Sequence, residues 1–83
     1  MKEDNLSELL EYLAKSLVEH PEDVRVRSRR SGSTVYLDLM VNPEDLGRVI
    51  GKHGRIATAT RTLLRVAAAR NGQQVTMNVV DND

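Results

Sequence analysis

The residues of this chain best placed to do chemistry lie in one run, Leu46-Gly47-Arg48-Val49-Ile50-Gly51-Lys52-His53-Gly54-Arg55-Ile56-Ala57. Gly51 and Gly54 bracket Lys52 and His53, Arg55 follows at once, and the apolar pairs Val49-Ile50 and Ile56-Ala57 flank the whole. The chemistry this suits is capture of an anion. Gly51 fits the left-handed residue that closes a helix, because it has no Cβ to clash there. Gly54 leaves the backbone bare where the next helix starts, and unpaired N–H groups with the positive end of the helix dipole attract negative charge. With the Lys52 and Arg55 cations beside those amides, phosphate is the expected guest.

Covalent chemistry is poorly served. Gly47 to His53 superficially resembles a Walker loop, but it reads Gly-x-x-x-Gly-Lys-His, one residue short and without the Ser or Thr that would hold Mg²⁺. His53 has no acid partner in sequence, and His20 precedes a proline at a helix end. Neither a His-Glu metal pattern nor a nucleophile beside a base is present, so the chain reads as a binding protein with no enzyme activity, no cofactor and no small-molecule substrate.

The elements that must position this run can be read from periodicity. Leu6, Leu9, Leu10, Leu13 and Leu17 have the spacing of a helix with one buried stripe over 5–19. Asn5 with Glu8 resembles a capping box at its start, and His20-Pro21 ends it. From Val24 to Arg29 the chain alternates, with Val24, Val26 and Ser28 on one side and Arg25, Arg27 and Arg29 on the other. After a turn at Arg30 to Ser33, Thr34 to Val41 alternates again, with Val35, Leu37, Leu39 and Val41 inward, which predicts an antiparallel hairpin. Its arginine row is open to RNA, to a second protein, or to plain solvation with Asp38 as a cross-strand partner.

Asn42-Pro43-Glu44-Asp45 is a helix start, with an Asn cap, proline at the first helical position and acids in the first turn. That helix is short, because Gly51 arrives two turns later. The next spans Arg55 to Asn71, apolar at Ile56, Ala59, Leu63, Leu64, Ala67 and Ala68, and is stopped by Asn71-Gly72. Arg61 and Arg65 extend the positive surface along its exposed side. Gln73 to Val80 alternates as a third strand, and a crossover through two helices implies that it returns parallel to the second.

Length and composition narrow the class. The 83 residues make one small domain, 1–83, able to bury roughly 60 to 65% of its unfolded surface. The chain has no cysteine, which suits a reducing cytosol. The N-terminus is acidic and then amphipathic, unlike a secretory signal, and no run approaches the ~20 apolar residues that cross a bilayer. The expectation is a cytoplasmic protein without a membrane partner. Net charge is zero, yet it is segregated: Met1 to Asp23 holds seven acids against two lysines, while Leu46 to Val80 holds Arg48, Lys52, Arg55, Arg61, Arg65 and Arg70 and no acid. Local potential, not the sum, steers a polyanion.

A bare Gly-x-x-Gly is weak evidence by itself. With Ile50 before it, a basic pair inside it, Arg55-Ile56 after it and a helix on each side, the run resembles the KH domain, whose loop clamps the backbone of about four single-stranded nucleotides. The element order resembles the type II arrangement, an α+β fold in the order α-β-β-α-α-β with a three-stranded mixed sheet covered on one face by three helices. A lone domain carrying Val-Ile-Gly-Lys-His-Gly-Arg-Ile-Ala is further similar to the small bacterial KH protein A family.

That resemblance implies a single-stranded RNA-binding protein, an RNA chaperone or post-transcriptional regulator. It also implies a larger KH-containing partner of the Jag type, and a role in cell length (cell shape) and peptidoglycan homeostasis (cell wall biogenesis), while the apolar sheet-edge and helix surfaces leave a homodimer or a heterodimer with that partner open. It assigns RNA contact to Gly51, Lys52, His53, Gly54 and Arg55, with Arg48 and Arg61 on the same basic surface. It expects the groove floor from Ile50, Ile56 and the second strand, Leu39 and Val41 included. The short turn at Arg30 to Ser33, standing where such domains carry a variable loop, implies a low groove wall and modest selectivity. Two other readings stay open on the residues: a protein-interaction module in which Gly51 to Gly54 is only a tight turn, and a helix-turn-helix that reads duplex DNA with Arg55, Thr58 and Arg61.

Overall fold

Residues 5–81 are described by the computed structural model, with the side chains of 6–80. The Asn5 cap, the acidic start at 1–4 and the polar end at 82–83 lie outside the described residues. Three helices, α1 (Asn5–Leu17), α2 (Leu46–Ile50) and α3 (Arg55–Arg70), cover one face of a sheet made of β1 (Arg25–Ser31), β2 (Thr34–Val41) and β3 (Gln74–Asp81). The chain order is α1-β1-β2-α2-α3-β3, an α+β fold, and the sheet order is β1-β2-β3. β1 runs antiparallel to β2, and β3 runs parallel to it, as the double-helix crossover requires.

β2 is the central strand and the centre of the core. Val35, Leu37, Leu39 and Val41 are all buried on its helix side, where Leu6, Leu10, Ala14, Val24, Val49, Leu64, Ala68 and Met77 meet them. Their alternation with half-exposed Thr34, Tyr36, Asp38 and Met40 reproduces the expected strand residue for residue. The hairpin turn is tighter than the sequence suggests. Pairing continues to Ser31 opposite Thr34, so only Gly32 and Ser33 make the loop, with Gly32 at φ 60°.

α1 stops at Leu17, which is exposed and does not join the buried stripe. α3 differs in phase from the periodicity reading. Its buried residues are Ala57, Thr60, Leu64 and Ala68, whereas Ala59 and Leu63 face solvent, Leu63 with 52% of its surface exposed. The helix ends as expected. Gly72 at φ 69° donates to the Ala69 carbonyl and Gln73 to that of Ala68, the paired bonds of a Schellman stop. The chain then enters β3, where the Gln74 N–H bonds the Ser33 carbonyl at 2.9 Å. The hairpin turn therefore lies beside the C-terminal end of α3, about 24 Å of helix away from the run that precedes Arg55.

Candidate nucleic-acid interface

The Gly51-Lys52-His53-Gly54 loop joins α2 to α3 through a single tight turn. Three of its residues have positive φ: Gly51 (79°), His53 (59°) and Gly54 (72°). Gly51, at ψ 168°, lies in a region essentially reserved for glycine rather than in the left-handed helical well expected for a helix closer. Its bareness is also a packing requirement, since a Cβ there would sit 2.6 Å from Ile56 Cγ1 and 2.8 Å from the Ile56 nitrogen. Ile56 packs directly under the loop. Gly54 faces open space, and His53 is the one non-glycine with positive φ among the described residues.

The loop amides are not distributed as the sequence implied. The Gly54 N–H donates to the Gly51 carbonyl at 3.0 Å and the Arg55 N–H donates to the Lys52 carbonyl, so neither is bare. The amides of Lys52 and His53, at the crest, are the loop donors without an acceptor among the described residues. The Lys52, His53 and Arg55 side chains are exposed and form no ion pair among the described residues. The crest thus combines two N–H groups open to an acceptor with exposed basic side chains on either side of Gly54.

α2 is anchored from below by Asp45, only 1% exposed. The 3-10 turn before it is set as expected, with Asn42 Oδ1 accepting the Glu44 N–H and Pro43 following the cap. Asp45 then turns inward, where Oδ1 accepts the Glu19 N–H at 3.1 Å and Oδ2 the His20 N–H at 3.0 Å. The end of α1 is thereby fastened to the start of α2. Arg48, half exposed, joins this clasp, 2.8 Å from Glu19 and 3.7 Å from Asp45. The His20 imidazole is held above its ordinary value mainly by its hydrogen bond to Glu44, 3.1 Å away, with the Asp45 and Glu22 carboxylates adding to the effect.

Two groups here could in principle share a cation, Glu19–His20–Asp45 and His20–Glu22–Asp23. Their atoms already have structural work. Asp45 holds two backbone amides, His20 bonds Glu44, and Asp23 accepts from Asn42 Nδ2 at 2.9 Å.

Beside α3 runs a cavity of about 290 Å³, lined by Arg61, Leu64 and Arg65 from the helix and Val75, Thr76, Met77 and Asn78 from β3. Arg61 bridges its two walls, donating from Nε to the Met77 carbonyl at 3.1 Å. The opening lies about 9 Å along α3 from Arg55. One wall is thus an edge strand, with backbone groups on its outer side that no neighbouring strand occupies among the described residues.

The sequence model of the KhpA/KhpB KH domain matches residues 7–79. The chain belongs to the KhpA/KhpB KH-domain family. The RNA-binding protein KhpA of Leifsonia xyli is 48% identical over 77 residues, covering 93% of this chain and 99% of that protein. The RNA-binding protein KhpA of Clostridium perfringens is 45% identical over 75 residues, 90% of this chain and all of that one. Among solved structures, an Aquifex aeolicus Era variant bound to GDP.AlF4- superposes with a TM-score of 0.66 over 92% of this chain at 17% identity. This chain spans 29% of that Era chain, and the likeness extends to the fold alone.

In this KhpA/KhpB-family chain the fold brings Gly51, Lys52, His53, Gly54, Arg55 and Ile56 together with Ile50, which is 37% exposed at the loop's edge. It does not bring Leu39 and Val41 to any surface. They are 2% and 0% exposed in the middle of the core, because β2 is the central strand and both of its edges are paired. The strand that lines the cavity beside α3 is β3 instead. Sequence reasoning missed Thr76 and Asn78, although their polar alternation with Val75 and Met77 is the pattern of an edge strand. It also missed the inward turn of Asp45, for which a helix-start acid gives no signal.

Proposed function

We propose that this chain binds single-stranded RNA by its sugar-phosphate backbone at the Gly51–Gly54 loop, with bases entering the groove between α3 and β3. The observation that carries the reading is the loop crest, where the Lys52 and His53 amides have no acceptor among the described residues and the Lys52 and Arg55 side chains are exposed. Relatives named RNA-binding protein KhpA support it. Affinity comes from phosphate contacts and weakens with salt. Base discrimination is modest, because Val75 is the one partly exposed apolar side chain among those lining the groove and neither tyrosine, Tyr12 or Tyr36, lies in the loop.

The family resemblance extends this reading to an RNA chaperone or post-transcriptional regulator in the cytoplasm. There it would pair with a second copy or with a larger KH-containing partner of the Jag type, and act in cell-length and peptidoglycan homeostasis. Pairing would raise apparent affinity through effective concentration.

The test is the double variant Lys52→Asp/His53→Asp, measured by fluorescence anisotropy on a labelled five-nucleotide RNA with duplex DNA as competitor. Aspartate tolerates the left-handed backbone at position 53, so the circular dichroism spectrum is expected to match wild type. RNA affinity is expected to fall at least tenfold, with duplex DNA a poor competitor. Unchanged RNA affinity would overturn the loop assignment.

A further inference from the structure

The sheet face turned away from the helices carries a second basic surface. Residues that alternate with the buried positions fall into rows across the three strands: Arg25–Met40–Val80, Arg27–Asp38–Asn78, Arg29–Tyr36–Thr76 and Ser31–Thr34–Gln74. Three arginines thus stand on this face against one acid, Asp38, and all three are exposed. No helix covers it. Along β1 the arginine positions repeat every ~6.8 Å. Arg25 is pinned by hydrogen bonds to the Glu22 and Val24 carbonyls, both 2.9 Å. Arg29 lies over the Tyr36 ring, 5.4 Å from its centroid, so a planar guanidinium-aromatic pair faces solvent next to the Arg27 charge.

This face is continuous with the groove. Thr76 and Asn78 line the α3–β3 cavity and also occupy open-face positions of the edge strand, so a chain leaving the groove over β3 arrives on the arginine rows. From β3 to β1 is two inter-strand steps, about 10 Å, which about three stacked nucleotides span at ~3.4 Å each. Guanidinium planes and aromatic rings are the surfaces on which unpaired bases stack, and arginine is suited to phosphate. The arrangement therefore matches a nucleic-acid strand better than an acidic polypeptide, which would use the charge but leave the stack idle.

We propose that the open sheet face is a second RNA-binding surface, on which Arg27, Arg29 and Tyr36 take the strand that leaves the α3–β3 groove. The proposal rests on the loop reading above and adds a contact that only longer RNA can reach. The experiment compares five- and fifteen-nucleotide single-stranded RNAs against wild type, Lys52→Asp/His53→Asp and Arg27→Thr/Arg29→Thr, threonine being chosen because it suits an exposed strand. The arginine variant is expected to bind the five-mer within twofold of wild type. Its fifteen-mer affinity is expected to fall about tenfold, with the salt slope shallower by about 1.4 for two lost contacts at ~0.7 each.

An Arg27→Lys/Arg29→Lys variant keeps the charge and is expected to recover the slope but not the full affinity. Should the threonine variant bind the fifteen-mer as wild type does, the open face is no RNA site and the proposal falls, leaving the loop reading intact. Should the loop variant bind both RNAs normally, the loop reading fails whatever the arginines do.

Discussion

At the scale of single residues, the two loop glycines serve different ends, and substitution separates them. Alanine at 51 must occupy backbone angles reserved for glycine while its Cβ meets Ile56 backbone and side chain at 2.6–2.8 Å. Gly51→Ala is therefore expected to cost about 2–4 kcal/mol, strain and overpacking together. Alanine at 54 meets nothing within 4 Å and has only a left-handed φ to bear, so Gly54→Ala is expected to cost about 1–2 kcal/mol. Chemical denaturation of the two variants checks the order, and equal losses would mean that Ile56 does not press on Gly51. His53 carries the same kind of strain at φ 59°. His53→Gly is expected to raise the melting temperature by about 2–6 °C, and His53→Val, β-branched and ill suited to that angle, to lower it by at least as much. The Gly-x-x-Gly spacing, the basic pair and the flanking isoleucines were all legible in the sequence, because they are local. Which amides stay free was not, since it depends on how the turn closes on Gly51 and Lys52 carbonyls.

At the scale of elements, the junction of α1 with α2 is held by one buried carboxylate. Asp45→Ala leaves the Glu19 and His20 amides without their acceptor and is expected to cost about 3 kcal/mol, while Asp45→Asn, which keeps one acceptor oxygen, is expected to cost about half. Loss of α2 docking would also show as weaker RNA binding, because α2 carries the loop. The same junction gives stability a pH dependence. His20 has a raised pKa in the folded protein, chiefly through its bond to Glu44. Its contribution is complete below the ordinary histidine value of 6.5 and is lost as pH climbs through the raised folded value. Melting temperature should therefore decline above that point in wild type and stay flatter in His20→Gln, and parallel curves would exclude the histidine. Element existence was readable from alternation and leucine spacing. Two placements were not. Periodicity read Leu39 and Val41 as inward, and they are core; it was the family resemblance that put them on the groove floor, which β2, paired on both edges, does not allow. Nor could periodicity fix the rotation of α3, where adjacent Leu63 and Leu64 fit two phases and contact with β3 and α1 selects Leu64.

At the scale of the whole molecule, a chain of zero net charge binds a polyanion only if its charges are kept apart and screening isolates them. At 0.15 M salt the Debye length is about 8 Å, shorter than the ~13 Å of α1 between Glu8 and the helix end at Leu17. The acids of α1 should therefore be nearly silent at the loop. Glu8→Gln/Glu11→Gln raises the net charge by two, yet it is expected to change five-nucleotide RNA affinity less than about threefold at that salt. On the proposed loop reading, three phosphate contacts at Lys52, Arg55 and the crest amides would give a slope of log K on log salt near −2, and that slope is expected to be the same in the α1 variant. At 0.01 M salt the screening length grows to about 30 Å, and there the variant should bind distinctly tighter than wild type. Titration across this range decides the matter. A slope that changes with the α1 acids would mean that the overall field, and not the loop with its own cations, sets the affinity.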